Sequence, residues 1–181
     1  FCAVTFDGVR IAGEAISGRP AAARLRDVGA TLGSGLLTGI ATRMLETSVE
    51  YAKTRNQFGQ PIGAFQAIKH RCADMAVALE AARSTAYYAF WAISEDAADS
   101  LRATSMAKSC CGESARAICN ETIQIHGGMG FTWELGLHRF LRRARVLEYA
   151  FGDAAWHNER VLVETLALLV EGRDDLAVAA Q

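Results

Sequence analysis

The segment Ile125-His126-Gly127-Gly128-Met129-Gly130-Phe131 puts three glycines into four residues, at the end of a long Ala-rich helical pattern. An interior glycine costs a helix about 1 kcal/mol, so a helix is expected to stop here. A glycine turn can also bring bare backbone N–H groups against another molecule. With the start of the next helix adding positive field, that makes a candidate anion site. The same residues equally suit a glycine C-cap joining two bundle helices. His126 can donate to a phosphate or cap the helix, and neither role excludes the other.

A second constellation, Arg55-Asn56-Gln57-Phe58-Gly59, follows the first helical pattern. Arg55 can meet a phosphate, Phe58 can cover an aromatic ligand and Gly59 can turn the chain. The blander reading is a polar helix end with one core aromatic. His138, Arg139, Arg142, Arg143 and Arg145 form a basic run that a helix spreads over much of its circumference. That suits a solvated or salt-bridged face, with room for one ligand-facing arginine. His70, His138 and His157 lack paired metal-ligand spacing, and Glu159, two residues beyond His157, falls on another face, so no metal is assigned. No Ser–His–acid or Cys–His grouping assembles. The residues alone give a helical bundle with a candidate phosphate-bearing partner, and no reaction.

These segments need elements to hold them. The 181 residues suffice for one sizeable core, and 51% apolar residues exclude general disorder. A net charge of −1 does not point to nucleic acid. The five cysteines, Cys2, Cys72, Cys110, Cys111 and Cys119, are odd in number and mostly in helical context. They read as reduced thiols of a cytosolic or organellar protein, and a cytoplasmic location is expected. No uncharged apolar run reaches the length of a membrane span. The opening segment without an initiator Met suggests part of a longer protein.

Phe1–Ile11 alternates loosely about an Asp7-Gly8 turn signal and reads as a strand or hairpin lacking its sheet. Ala12–Arg24 reads as a linker broken at Gly18-Arg19-Pro20. Helical patterns then run over about 25–51, 64–94, 100–125, 133–146 and 147–170, and the tail from Glu171 is expected to fray. Leu32, Leu36, Leu37, Ile40, Met44, Leu45 and Val49 mark the first helix, where Gly33, Gly35 and Gly39 allow close helix approach. Several helices of this length with short connections predict an all-α, antiparallel four-helix bundle. The expected division is 1–17 as a β remnant with linker and 18–181 as the bundle domain.

The chain resembles the acyl-CoA dehydrogenase family. The resemblance rests on Phe1–Ile11, on Glu50-Tyr51-Ala52-Lys53-Thr54-Arg55-Asn56-Gln57-Phe58-Gly59-Gln60-Pro61-Ile62 with Phe65-Gln66, on Gln124–Phe131, and on Arg142 after the glycine turn. It implies the carboxyl-terminal helical bundle of that family, the strand-like start being the end of its middle β-domain. It also implies FAD, shared across a subunit interface. Arg55, Gln57 and Phe58 match residues at the FAD pyrophosphate and adenine end. Gln124, Gly127, Gly128 and Gly130 match the turn that meets the neighbouring subunit's FAD.

The reaction implied is α,β-dehydrogenation of an acyl-CoA thioester, with an electron-transfer flavoprotein as acceptor. A carboxylate must lie within about 3 Å of the α proton. In most members it is a Glu in a Tyr-Glu-Gly-Thr segment. Here that segment reads Ala150-Phe151-Gly152-Asp153, and Phe151, which cannot accept a proton, takes the place of the base. Other members carry the Glu on the first bundle helix, where a gap-free count reaches Gly29, between Val28 and Ala30. Asp153 and Asp27, each two residues away, are the weak surrogates. The Asp that commonly follows the family's Arg is replaced by Arg143. The resemblance thus implies a non-catalytic subunit that shares FAD with a homologous catalytic chain or a second copy. The alternative is a structural or interaction module that has lost flavin binding.

Overall fold

The computed structural model describes residues 5, 7–10 and 19–179. Of the expected β remnant, only residue 5 and residues 7–10 fall within it; there the chain bends at Gly8, which has φ +60°. The remainder of 1–18 lies outside the described residues.

Four long helices dominate: α1 (Arg19–Thr54), α2 (Gln66–Ser94), α3 (Ser100–His126) and α5 (Ala154–Ala179), with a shorter α4 (Leu137–Tyr149) before the last. The 36-residue α1 begins inside the expected linker. Pro20 does not break it, because a proline in the first turn gives up an N–H that has no helical partner anyway. The expected boundary at 146/147 is also displaced: α4 runs on to Tyr149, and the chain breaks over 150–153. The tail expected to fray is helical through Ala179.

Contacts fix the helix directions. Thr31 meets Thr104 at 3.1 Å and Ser48 meets Thr122 at 3.0 Å, so α1 and α3 run the same way. Arg24 reaches the carbonyl of Ile93, and a Cβ on Gly35 would lie 2.9 Å from Phe90, so α2 runs against α1. Small hydroxyls make the α1–α3 seam close. Thr31, Ser34, Ser48 and Thr122 each also donate to the carbonyl one turn back, so these buried hydroxyls are satisfied. Of the three glycines expected to admit a neighbour, only Gly35 does so; Gly39 faces open space and Gly33 meets only the Lys108 Cε, at 3.9 Å.

The core gathers Leu37, Met44, Met75, Leu79, Ile118, Ile123, Leu137 and Leu147. Leu32 and Leu36, which mark the apolar pattern of the first helix, are exposed, as are Tyr87, Trp91 and the apolar residues Leu162 to Val170. Helical spacing marks two apolar stripes on these long rods, and the bundle covers one of them. No helix among the described residues is long and apolar enough to cross a membrane.

Candidate functional site

At the far end of α1 the connection to α2 is a hairpin. Strands β1 (Asn56–Gln57) and β2 (Gln60–Pro61) pair antiparallel, and the Ile62 N–H donates to the Arg55 carbonyl at 2.8 Å to close the base. The two tip residues, Phe58 and Gly59, have φ +53° and +79°, the hand that two-residue hairpins require. Glycine takes that conformation freely, whereas phenylalanine is strained in it. Phe58 is also 91% exposed, its ring meeting Phe65 edge-on at a centroid distance of 6.1 Å. A strained backbone presenting an uncovered aromatic is a feature that the core does not account for.

The glycine turn packs beside this hairpin. Gly127 adopts φ +59°, ψ −138°, a conformation essentially confined to glycine, and its N–H closes back on the Gln124 carbonyl. A side chain at Gly127 or Gly128 would meet nothing within 4 Å, so main chain is reachable there. Gly130 differs: a Cβ would lie 2.5 Å from the Ile123 carbonyl oxygen, so this glycine lets the turn fold under the end of α3. Between turn and hairpin lies a cleft of about 460 Å³ lined by Tyr51, Arg55, Gln57, Ile62, His126, Gly127 and Gly128, among others. His126 is buried and stacks on Tyr51 with centroids 4.1 Å apart. Its Nδ1 lies 2.7 Å from the Thr122 carbonyl, which can only accept, so Nδ1 carries a proton. Among the described residues no carboxylate pairs with Arg55. The cleft therefore offers a free guanidinium, an amide side chain and reachable glycine main chain, the chemistry that holds a phosphate.

The opposite end of α1 meets the break between α4 and α5. Phe151 has φ +64° and lays its ring on Gly29: an added Cβ there would lie 2.5 Å from Phe151 Cε1. The break is tied down from beneath. Lys108, 1% exposed, donates from Nζ to the carbonyls of Glu148 (2.7 Å) and Gly152 (2.9 Å). His157, fully buried, donates from Nε2 to the Phe151 carbonyl at 3.2 Å, which leaves Nδ1 without a partner. Burial pushes Lys108 down to about 8 against the pull of Glu148 and Asp153. Burial first, and the Lys108 charge second, push His157 down to about 4.

The nearby carboxylates are all engaged. Asp27 is held by both terminal nitrogens of Arg160, at 2.5 and 3.2 Å. Asp153 accepts the Trp156 N–H at 2.9 Å and caps α5. Glu148 is gripped by Arg116 at 3.0 Å and Arg145 at 2.9 Å.

Residues 21–164 match the model of the family described as acyl-CoA dehydrogenase, C-terminal domain. The chain belongs to the acyl-CoA dehydrogenase family. Acyl-CoA dehydrogenase FadE34 of Mycobacterium tuberculosis is 39% identical over 145 residues, which are 80% of this chain and 20% of that protein, so the chain spans about a fifth of this relative. The ChsE4–ChsE5 complex from Mycobacterium tuberculosis superposes with a TM-score of 0.83 at 27% identity, covering 88% of this chain and 44% of that one. PigA with FAD and proline superposes with a TM-score of 0.74 at 32% identity, covering 77% and 36%.

Within this dehydrogenase bundle, the residues expected at the flavin separate into three groups. Arg55, Gln57, Gly127 and Gly128 converge on the cleft. Phe58 stands at the hairpin tip and Gln124 is exposed on the last turn of α3, both outside the cleft lining. Gly130 is buried, folded under the end of α3. The sequence reading missed Tyr51, Lys108 and His157. Lys108 did carry a signal, because it shares a helical face with Thr104, Cys111 and Ala115, all of them small or apolar. The basic run lies on α4, where Arg139, Arg142, Arg143 and Arg145 are exposed. Burial pushes the Cys119 thiol up to about 12 and raises Cys111, so neither is a ready nucleophile.

Proposed function

We propose that this chain is the bundle part of an FAD-dependent acyl-CoA dehydrogenase subunit that shares flavin with a homologous catalytic chain and supplies no base of its own. The observation that carries the reading is the contact of Phe151 with Gly29. By the resemblance, the family's two positions for the base fall at Phe151 and Gly29, far apart in sequence, and neither bears a carboxylate. A phenyl ring fills the space between them. The surrogates Asp27 and Asp153 are committed to Arg160 and to the α5 N-terminus.

The cleft at the other end supports flavin sharing over a module that has lost flavin. Arg55 would pair with a phosphate oxygen, Gln57 would hydrogen-bond beside it, and the main chain of Gly127 and Gly128 would approach closely because no side chain intervenes. Phe58 would cover the adenine end. When bound, the flavin supplies acceptance of the hydride from the acyl β carbon. The proton taken from the α carbon would go to the partner's carboxylate, and an electron-transfer flavoprotein would reoxidise the assembly. Two of the solved relatives fit this reading: PigA was seen with FAD, and ChsE4 in a complex with ChsE5.

The test uses the full-length protein, co-expressed with its genomic neighbours and purified through a tag on this chain. A second, Glu-bearing chain, with acyl-CoA bleaching the flavin only in the complex, supports the proposal. A homo-oligomer that bleaches alone refutes it, and a colourless assembly favours the structural module.

A further inference from the structure

Two buried side chains near Phe151 take no part in the chemistry just described, and both are costly where they stand. A methionine would fill the volume of Lys108 without carrying a charge into the interior. His157 keeps a buried Nδ1 with no partner. Both spend their donors on one short stretch of main chain: Lys108 on the carbonyls of Glu148 and Gly152, His157 on the carbonyl of Phe151.

That stretch needs holding. Phe151 is in the left-handed region at φ +64°, and Gly152 follows at φ +106°. A bulky residue persists in such a conformation only where its surroundings over-determine it. Gly152 is itself part of the arrangement, because a Cβ there would stand 2.7 Å from Trp156 and 3.0 Å from His157 Nε2. The two donors arrive from different helices, Lys108 from α3 and His157 from α5, so they fix the break relative to both.

We infer that Lys108 and His157 are positioning residues: they clamp the main chain of 148–152 so that whatever side chain stands at 151 is presented to Gly29. This rests on the reading of 151 as the family's base position, but the clamp itself is a property of the backbone. All three bonds go to carbonyl oxygens, so the clamp does not discriminate among side chains at 151.

Two measurements on the full-length assembly test it. The first is hydrogen exchange of the amides that flank the break: that of Ala150, which closes α4 on the Val146 carbonyl, and those of Trp156 and His157, which open α5 on Asp153. Lys108→Met and His157→Phe are expected to speed their exchange at least tenfold, with the rest of the bundle unchanged. His157→Gln, which keeps a donor, is expected to stay within twofold of the unaltered protein. Equal exchange in all variants, or acceleration throughout the bundle, overturns the clamp.

The second introduces a carboxylate with Phe151→Glu into an assembly whose partner chain has its own base Glu changed to Gln, and follows bleaching of the flavin by acyl-CoA. Bleaching is expected to appear, and to slow at least tenfold at saturating acyl-CoA when Lys108→Met or His157→Phe is added, but not with His157→Gln. Bleaching indifferent to those additions overturns the clamp. Should Phe151→Glu give none, the base-position reading fails while the exchange measurement still decides the clamp.

Discussion

The hairpin–glycine cleft and the Phe151 corner are built from the same two helices and treat polar groups in opposite ways. In the cleft, Arg55 lacks an acidic partner among the described residues, and the main chain of Gly127 and Gly128 faces open space. In the corner, the charged side chains Lys108, Asp27 and Glu148 are turned inward and bonded, and a phenyl ring is what remains at the surface. A site that waits for an ionic ligand leaves hydrogen-bonding capacity unused. In the corner that capacity is spent on the fold.

The contrast breaks most sharply at Gly130. Gly130→Ala would drive a methyl into the Ile123 carbonyl, so we expect about 3 kcal/mol of destabilisation, roughly a 10 °C fall in Tm, together with loss of bound flavin. Full flavin occupancy in that variant would show that the turn does not shape the cleft. In the corner the lever is pH. Unfolded histidine titrates near 6.5, while folded His157 sits at about 4, so the unfolded chain binds more protons between those values. Stability present above pH 6.5 is therefore lost as pH falls toward 4, on the order of 3 kcal/mol. Urea unfolding from pH 7.5 to 5 checks this, and His157→Gln should flatten the profile. Lys108 has the same sign at the other end: its depressed value of about 8, against 10.5, makes stability rise as pH climbs between the two.

Arg55→Ala tests the unused capacity directly. Flavin affinity should fall about 10- to 100-fold, the worth of a charge-assisted hydrogen bond, while the Tm of the flavin-free protein stays within about 1 °C. A large loss of apo stability would mean that Arg55 serves the fold. Gly29→Ala should have the smallest effect. The gain in helix propensity, about 1 kcal/mol, and the displacement of the Phe151 ring oppose each other, so net stability should move by less than about 1 kcal/mol. A crystal structure of the variant should show the ring swung away from α1.

The bundle and the glycine turn were legible because both depend on local chemistry: long apolar periodicity for the helices, and three glycines where a helix must stop. The break at 150–153 was not, since the apolar pattern of Leu147 to Val170 reads as one helix. Its signal was the pair Gly152-Asp153, a residue that ends a helix followed by one that caps the next. The hairpin escaped for another reason. Turn chemistry puts Asn, Asp or Gly at its tip, and Phe58 stands there against that preference. Strained residues are illegible to propensity because the surroundings, not the residue, choose the conformation. The identity of Phe151 is read from the sequence; only packing shows its ring seated on Gly29.

The seam of hydroxyls between α1 and α3 makes one strut of two helices, and the two regions sit at its ends. From Gly29 to Arg55 along α1 is about 39 Å at the helical rise per residue. That span is longer than an extended dinucleotide. No single extended dinucleotide reaches from one end of the strut to the other, so the cleft and the corner face separate surroundings. The ends of the subunit therefore answer to different masters. Substitutions can accumulate at the Phe151 corner while the glycine cleft keeps its form.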